Sequence, residues 1–176
     1  AFSFARRDAR IDQQGVYVPL EAHDVSRWNR LLIRRGQIML AKAATFKAPA
    51  RFQLEAAIQS AHCDRLQLGK VDWQVIAQLY ADLMAIAPTT GAAVGYAAAL
   101  GRSASPQAGL AALAAIEGDQ IKGFQPYWAT RAYLLRQAGD FPHARPAYEK
   151  ALSLTTHIPS RKWLENELAQ ILHGKI

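Results

Sequence analysis

Cysteine is nearly missing from this sequence. Cys63 stands alone among 176 residues, which excludes an intramolecular disulfide. Nothing approaches the roughly 20 consecutive apolar residues of a membrane-spanning helix, and no segment resembles a signal peptide. The expectation is a soluble chain of a reducing cytoplasm with no membrane contact. Val, Ile and Thr are sparse beside abundant Ala. That balance favours helix over strand, because β-branched side chains lose rotamer freedom in a helix and Ala has none to lose. No initiator Met precedes Ala1 to Phe4, which carry no targeting pattern and run directly into Arg6, Arg7 and Arg10. The chain therefore reads as a fragment of a longer protein.

What is present is apolar and basic. Just over half of the residues are hydrophobic (51%), enough for one domain of this length to bury a continuous core. The formal net charge of +7 is uneven: up to Arg51 there are ten Lys and Arg against four Asp and Glu, and the remainder is nearly neutral. A basic leading segment suits an acidic protein surface or nucleic acid. Aromatic residues are not interleaved with these arginines as a base-stacking platform would require, which favours protein.

Along the chain, residues 1–23 hold Gly15, Pro19 and a short alternating stretch Val16-Tyr17-Val18 but no helical period, and read as an extended basic arm or linker. Asp24 or Ser26 then suits the cap of a helix with Val25, Trp28, Leu31, Leu32, Met39 and Ala43 on its apolar side. Lys47-Ala48-Pro49 breaks it, and a second helix runs from about Ala50 to Cys63, completing a leading helix pair within residues 24–70. Asp72 caps a third helix, Trp73 to Ala87, which Pro88 stops. A small-residue helix follows from about Thr90 to Gly101, then Ser105-Pro106 opens one reaching about Glu117. Further helices are expected over about Phe124 to Ala138, Pro142 to Thr155 and Ser160 to His173. With loops this short, successive helices must be antiparallel neighbours, in a bundle or a solenoid of helical hairpins.

The segment Tyr127 to Thr156 favours the solenoid, because its spacing is that of the 34-residue tetratricopeptide (TPR) unit. Trp128, Ala132 and Leu135 take the large, small and large positions of a first helix, and Gly139-Asp140-Phe141 forms the turn. Ala144, Tyr148, Ala151 and Leu154 line the second helix, with Pro146 inside it. A weaker copy, Tyr80-x-x-Leu83-Met84-x-Ile86, stands upstream. The expected fold is all-α: about eight helices in antiparallel hairpins forming a TPR-like right-handed superhelix over residues 24–176, with repeats from 71 onward and an extended N-terminal arm.

A more particular resemblance spans nearly the whole chain. It is carried by Ala9-Arg10-x-Asp12 with Gly15, by Asp24-x-Ser26-Arg27-Trp28-Asn29 continuing to Leu32-Ile33-x-x-Gly36, and by Phe52-Gln53-Leu54-Glu55-Ala56-Ala57-Ile58 with His62. Asp72-Trp73-x-x-Ile76-x-x-Leu79-Tyr80, the Gly109-Leu110 helix, and Tyr127 through Trp163-Leu164 complete it. In order and spacing these pieces resemble the C-terminal TPR-like extension of extracytoplasmic-function RNA polymerase sigma factors of bacteria. Where that pattern has Asn-Arg-Ala, this chain has Val94-Gly95-Tyr96-Ala97. The resemblance implies a regulatory domain that modulates transcription initiation by contact with RNA polymerase, the sigma core regions or a signalling protein. DNA would be met only through N-terminal regions absent from this chain. The alternatives are a free-standing TPR-like peptide-binding adaptor and an accessory nucleic-acid-binding module.

Candidate partner-binding residues fall in two groups. TPR geometry would place Tyr133, Arg136 and Gln137 on a concave face, with Tyr96 as a counterpart. Arg27, Arg30 and Arg34, at i, i+3 and i+7, would make a basic stripe for an acidic patch. An ordinary solvated rim explains both groups as simply. Consecutive His62-Cys63-Asp64 point in different directions on a helix and cannot close on one ion, and no CxxC or HxxxH spacing supports them. Glu55 and His62 share a helix face two turns apart, with no nucleophile or Gly-rich loop to complete a catalytic set. No enzymatic activity, metal, cofactor or small-molecule substrate is expected.

Overall fold

The computed structural model describes residues 1–46 and 50–172, and among them it is all-helical. The elements are α1 (Phe2–Ala5), α2 (Arg30–Ala44), α3 (Arg51–Cys63), α4 (Arg65–Leu68), α5 (Trp73–Ile86), α6 (Thr90–Ser103), α7 (Pro106–Ala114), α8 (Gln125–Gln137), α9 (Phe141–Ser153) and α10 (Ile158–Leu172), with short 3-10 turns between some of them. The expected break at Lys47-Ala48-Pro49, and the end of the last helix at His173, lie outside the described residues.

Side-chain caps start five of these helices where the sequence places a short polar residue. Asn29, Asp72, Thr89, Ser105 and Asp140 each accept a backbone N–H of the first turn. At the α8–α9 turn, the N–H groups of Gly139 and Asp140 donate to the carbonyls of Arg136 and Leu135 at 3.0 and 2.9 Å, closing the last turn of α8. This closure needs a left-handed residue, and Gly139 takes φ +77°.

Apart from the single-turn α4, successive helices pack on one another from α2 to α10, and α6 also touches α8. That contact between first helices of successive pairs belongs to a solenoid rather than a closed bundle. The TPR unit read over Tyr127 to Thr156 falls on the α8–α9 hairpin: Ala132, Ala144, Tyr148 and Ala151 are fully buried with Leu164 of α10, and Trp128 packs beside them. Upstream, Leu54, Ile58, Ile76 and Leu83 form a second core across α3 and α5, closed by Ala92 and Ala99 of α6. Between α6 and α7 the backbones nearly touch. A Cβ on Gly109 would stand 2.7 Å from the Ala97 carbonyl oxygen and 2.9 Å from the Gly101 Cα.

The first helix differs from its sequence expectation. Asp24 caps only the 3-10 turn Val25–Arg27, Trp28 is extended, and Asn29 starts α2 afresh by accepting the Leu32 N–H at 3.0 Å. With the helix beginning at Arg30, Ile33 and Gly36 face inward while Leu31 and Met39 are 81% and 61% exposed. The apolar side expected there is divided between two elements.

The arm over residues 1–23 is not extended as its lack of period implied: it holds α1 and the 3-10 turns Arg7–Ala9 and Leu20–Ala22, and it is folded down onto the helices. Phe2, Ala5, Ala9 and Trp28 make a buried cluster with Ile33 and Cys63. The Asp12 carboxylate accepts the N–H groups of Gln14 and Val16 at 2.9 and 2.8 Å, and Gly15 at φ +74° lets the chain reverse there. An isolated bridge between Ile11 and Tyr17 closes this turn. The arm is thus a strap that leaves the first helices and crosses to the last one.

Candidate functional site: the concave groove

The strap crosses into a groove of about 640 Å³ lined by the first helices of successive pairs. Ala98 and Arg102 come from α6, Gln125, Ala129, Thr130 and Tyr133 from α8, and Ser160, Trp163 and Glu167 from α10. Tyr17 to Ala22 of the strap form the remaining wall, apart from Val18. The Tyr17 N–H donates to the Pro159 carbonyl at 3.0 Å, and the Tyr17 ring meets Trp163 edge to face at 6.0 Å between centroids. Burial, and then the nearby Glu21 carboxylate, push the Tyr17 phenol above its ordinary range.

Arg102 is the electrostatic centre of the groove. Its guanidinium lies 4.6 Å from the Trp73 ring and 4.7 Å from the Tyr133 ring, and it is paired with the Glu21 carboxylate at 3.2 Å. Two aromatic faces and the Glu21 carboxylate hold the planar cation in one orientation. Across the groove, Arg136 pairs with Glu167 and donates to the Gln170 side chain at 3.0 Å, tying α8 to α10.

The strap's ends are held by arginines of their own. Arg6 is only 4% exposed and donates to both the backbone and side-chain oxygens of Gln59, with Cys63 Sγ at 3.6 Å. Arg65 donates to the carbonyls of Leu20 and His23 at 2.8 and 2.6 Å. His23 accepts the Trp28 indole N–H at Nδ1 over 3.3 Å, with Nε2 3.1 Å from the Val18 carbonyl, so it needs the neutral Nε2–H form. Burial lowers its pKa in the same sense. Beneath Trp73, His62 is buried with its Nδ1 unpartnered. Burial first, and the charges of Arg6 and Arg102 next, bring His62 down to about 4.

The sequence-derived candidates disperse. Tyr133 lines the groove; Arg136 stands at its edge, engaged with Glu167; Gln137 is exposed and outside the lining. Tyr96 packs against the α3–α5 core. Arg30 and Arg34 are exposed one turn apart on α2, whereas Arg27 lies in the preceding 3-10 turn with Nη1 3.5 Å from the Ile11 carbonyl, so no single helical stripe joins all three. Glu55 pairs with Arg51 at 2.8 Å. Among the described residues no group of three or more His, Cys, Asp or Glu is placed to hold a metal ion. Sequence reading missed Arg102, Glu21 and Trp163. The one signal available was that Trp73 and Tyr133 each need a neighbour one helix away, and spacing within a helix does not reveal neighbours between helices.

Residues 1–44, which span the strap and α2, match a family of unknown function (DUF6596). The chain is also similar to uncharacterized protein R00370 of Rhizobium meliloti (strain 1021), with 30% identity over 164 residues, or 93% of this chain. It spans 38% of the length of that relative. No solved structure matches it. No helix of the described residues is long and apolar enough to cross a membrane.

Proposed function

We propose that this chain is a protein-interaction domain, and more specifically the regulatory extension of a bacterial extracytoplasmic-function sigma factor. It acts in the cytoplasm by contact with RNA polymerase, the sigma core regions or a signalling partner. The observation that carries the reading is the groove over α6, α8 and α10, which already takes a segment of non-α-helical polypeptide, Tyr17 to Ala22 with its 3-10 turn at Leu20–Ala22, along its wall. A surface shaped for one such segment is shaped for others. The sequence resemblance supplies the transcriptional part of the reading.

An enzymatic role lacks a convergent set of ionisable groups, since the groove's charges are already paired as Glu21 with Arg102 and Glu167 with Arg136. A nucleic-acid role is the second reading: Arg6 of the basic leader is turned inward onto Gln59, but Arg7, Arg10, Arg27, Arg30 and Arg34 are exposed, without the interleaved aromatic residues of a base-stacking platform. The test is a pull-down of the tagged chain with core RNA polymerase and, separately, with the isolated sigma core regions. Retention of at least one of them is expected. Retention of duplex DNA alone, weakening steeply with salt, would replace the reading with the nucleic-acid one.

A further inference from the structure

The placement of Glu21 bears on what the groove binds. We propose that Glu21 is an internal stand-in for a partner's carboxylate, and that the groove takes an extended acidic segment of a protein whose Asp or Glu replaces Glu21 on Arg102. This rests on the reading of the groove as a protein-interaction surface and names the chemistry of its ligand.

Three observations carry it. Arg102 is fixed between Trp73 and Tyr133, so a carboxylate that approaches meets a cation already oriented. The pair it makes with Glu21 is neither sealed nor loose: the side chains of Arg102 and Glu21 are 23% and 35% exposed, which leaves water a path to the contact. Thirdly, the backbone at Glu21 is anchored independently, since Arg65 holds the carbonyls of Leu20 and His23. The Glu21 side chain can therefore swing off Arg102 without unfolding the strap. The open space beside it is floored by Ala98, Ala129 and Thr130, whose small side chains admit a main chain. A floor spread over successive helices fits an extended segment better than a compact metabolite, which would leave most of it uncovered.

The probe is a set of phage-displayed random dodecapeptides, panned against the folded chain carrying Glu21→Ala. Enrichment of peptides with Asp or Glu at one shared position is expected. A selected peptide, labelled for anisotropy, should bind Glu21→Ala about fivefold more tightly than wild type, the range of a half-exposed ion pair removed from competition. Adding Arg102→Gln should cost at least about tenfold and erase the acidic preference, as loss of a charge-assisted hydrogen bond does. The substituted glutamine retains a donor and most of the packing, and a melting curve confirms that the variant is folded.

The proposal is overturned if selected peptides show no acidic preference, if wild type and Glu21→Ala bind them equally, or if free N-acetylglutamate competes as well as the peptide. Failure of the groove reading itself looks different: peptides would then bind with acidic preference or without it, yet ignore the bulky, uncharged Thr130→Trp on the groove floor.

Discussion

Among single residues, His62 carries the clearest consequence. Its imidazole is buried against Trp73, faces two arginines and has an unpartnered nitrogen, so charging it inside the fold is unfavourable. The folded pKa of about 4 lies below the ordinary value of 6.5. Between these two values the unfolded chain binds the proton and the folded chain does not, so stability falls as pH drops through that window and is unaffected above it. At pH 5 the loss from His62 should be about 2 kcal/mol relative to pH 7.5. Urea unfolding at the two pH values checks this, and His62→Phe should remove most of the difference. An unchanged pH dependence in that variant would assign the acid sensitivity elsewhere. The sequence showed His62 as part of the resemblance, as a doubtful metal ligand beside Cys63 and Asp64, and as a face partner of Glu55, but not as a buried titrating group. Its role depends first on burial beneath Trp73 and then on Arg6 and Arg102, all of which come from other elements of the chain.

For the helices, the hairpin α8–α9 was legible because its determinants are local: alternating large and small positions, a glycine in the turn and an aspartate cap. The start of α2 was not, because Asp24 and Asn29 both suit a cap and the choice between them depends on Trp28 being drawn under the strap. The contrast between two glycines tests the account of helix packing. Gly109 faces the α6 backbone, with the Ala97 carbonyl 2.7 Å from where its Cβ would be, whereas nothing lies within 4 Å of the same position on Gly91. Gly109→Val should destabilise by about 3 kcal/mol through overpacking. Gly91→Ala should instead gain about 0.5 kcal/mol of helix propensity. Thermal unfolding of both variants checks the pair; equal effects would mean that α6 and α7 do not approach as closely as described.

The strap gives the whole molecule its particular form. Its leading half seals the first helices through Phe2 over Gly36 and through Arg6 in the core, and its trailing half reaches α10 through Tyr17. The leading part of the sequence resemblance falls on this arrangement: Asp12 and Gly15 in the reversing turn, Trp28 and Asn29 at the entry to α2, Gly36 under Phe2. That part of the pattern was readable as a resemblance before its physical purpose was. What it did not reveal is that the segment read as an arm forms a wall of the groove, since no local period reports a contact between residue 17 and residue 163.

The most direct measurement compares two added tryptophans, which bring bulk without charge. Thr130→Trp projects into the groove, and Ala111→Trp stands on the exposed side of α7. Each variant, verified as folded, is titrated with the protein that the pull-down retains. Thr130→Trp should weaken binding at least about tenfold, as blocking the centre of an interface does, and Ala111→Trp should leave it unchanged. Equal affinity of Thr130→Trp and wild type, or a loss confined to Ala111→Trp, would place the partner elsewhere on the molecule and contradict the account.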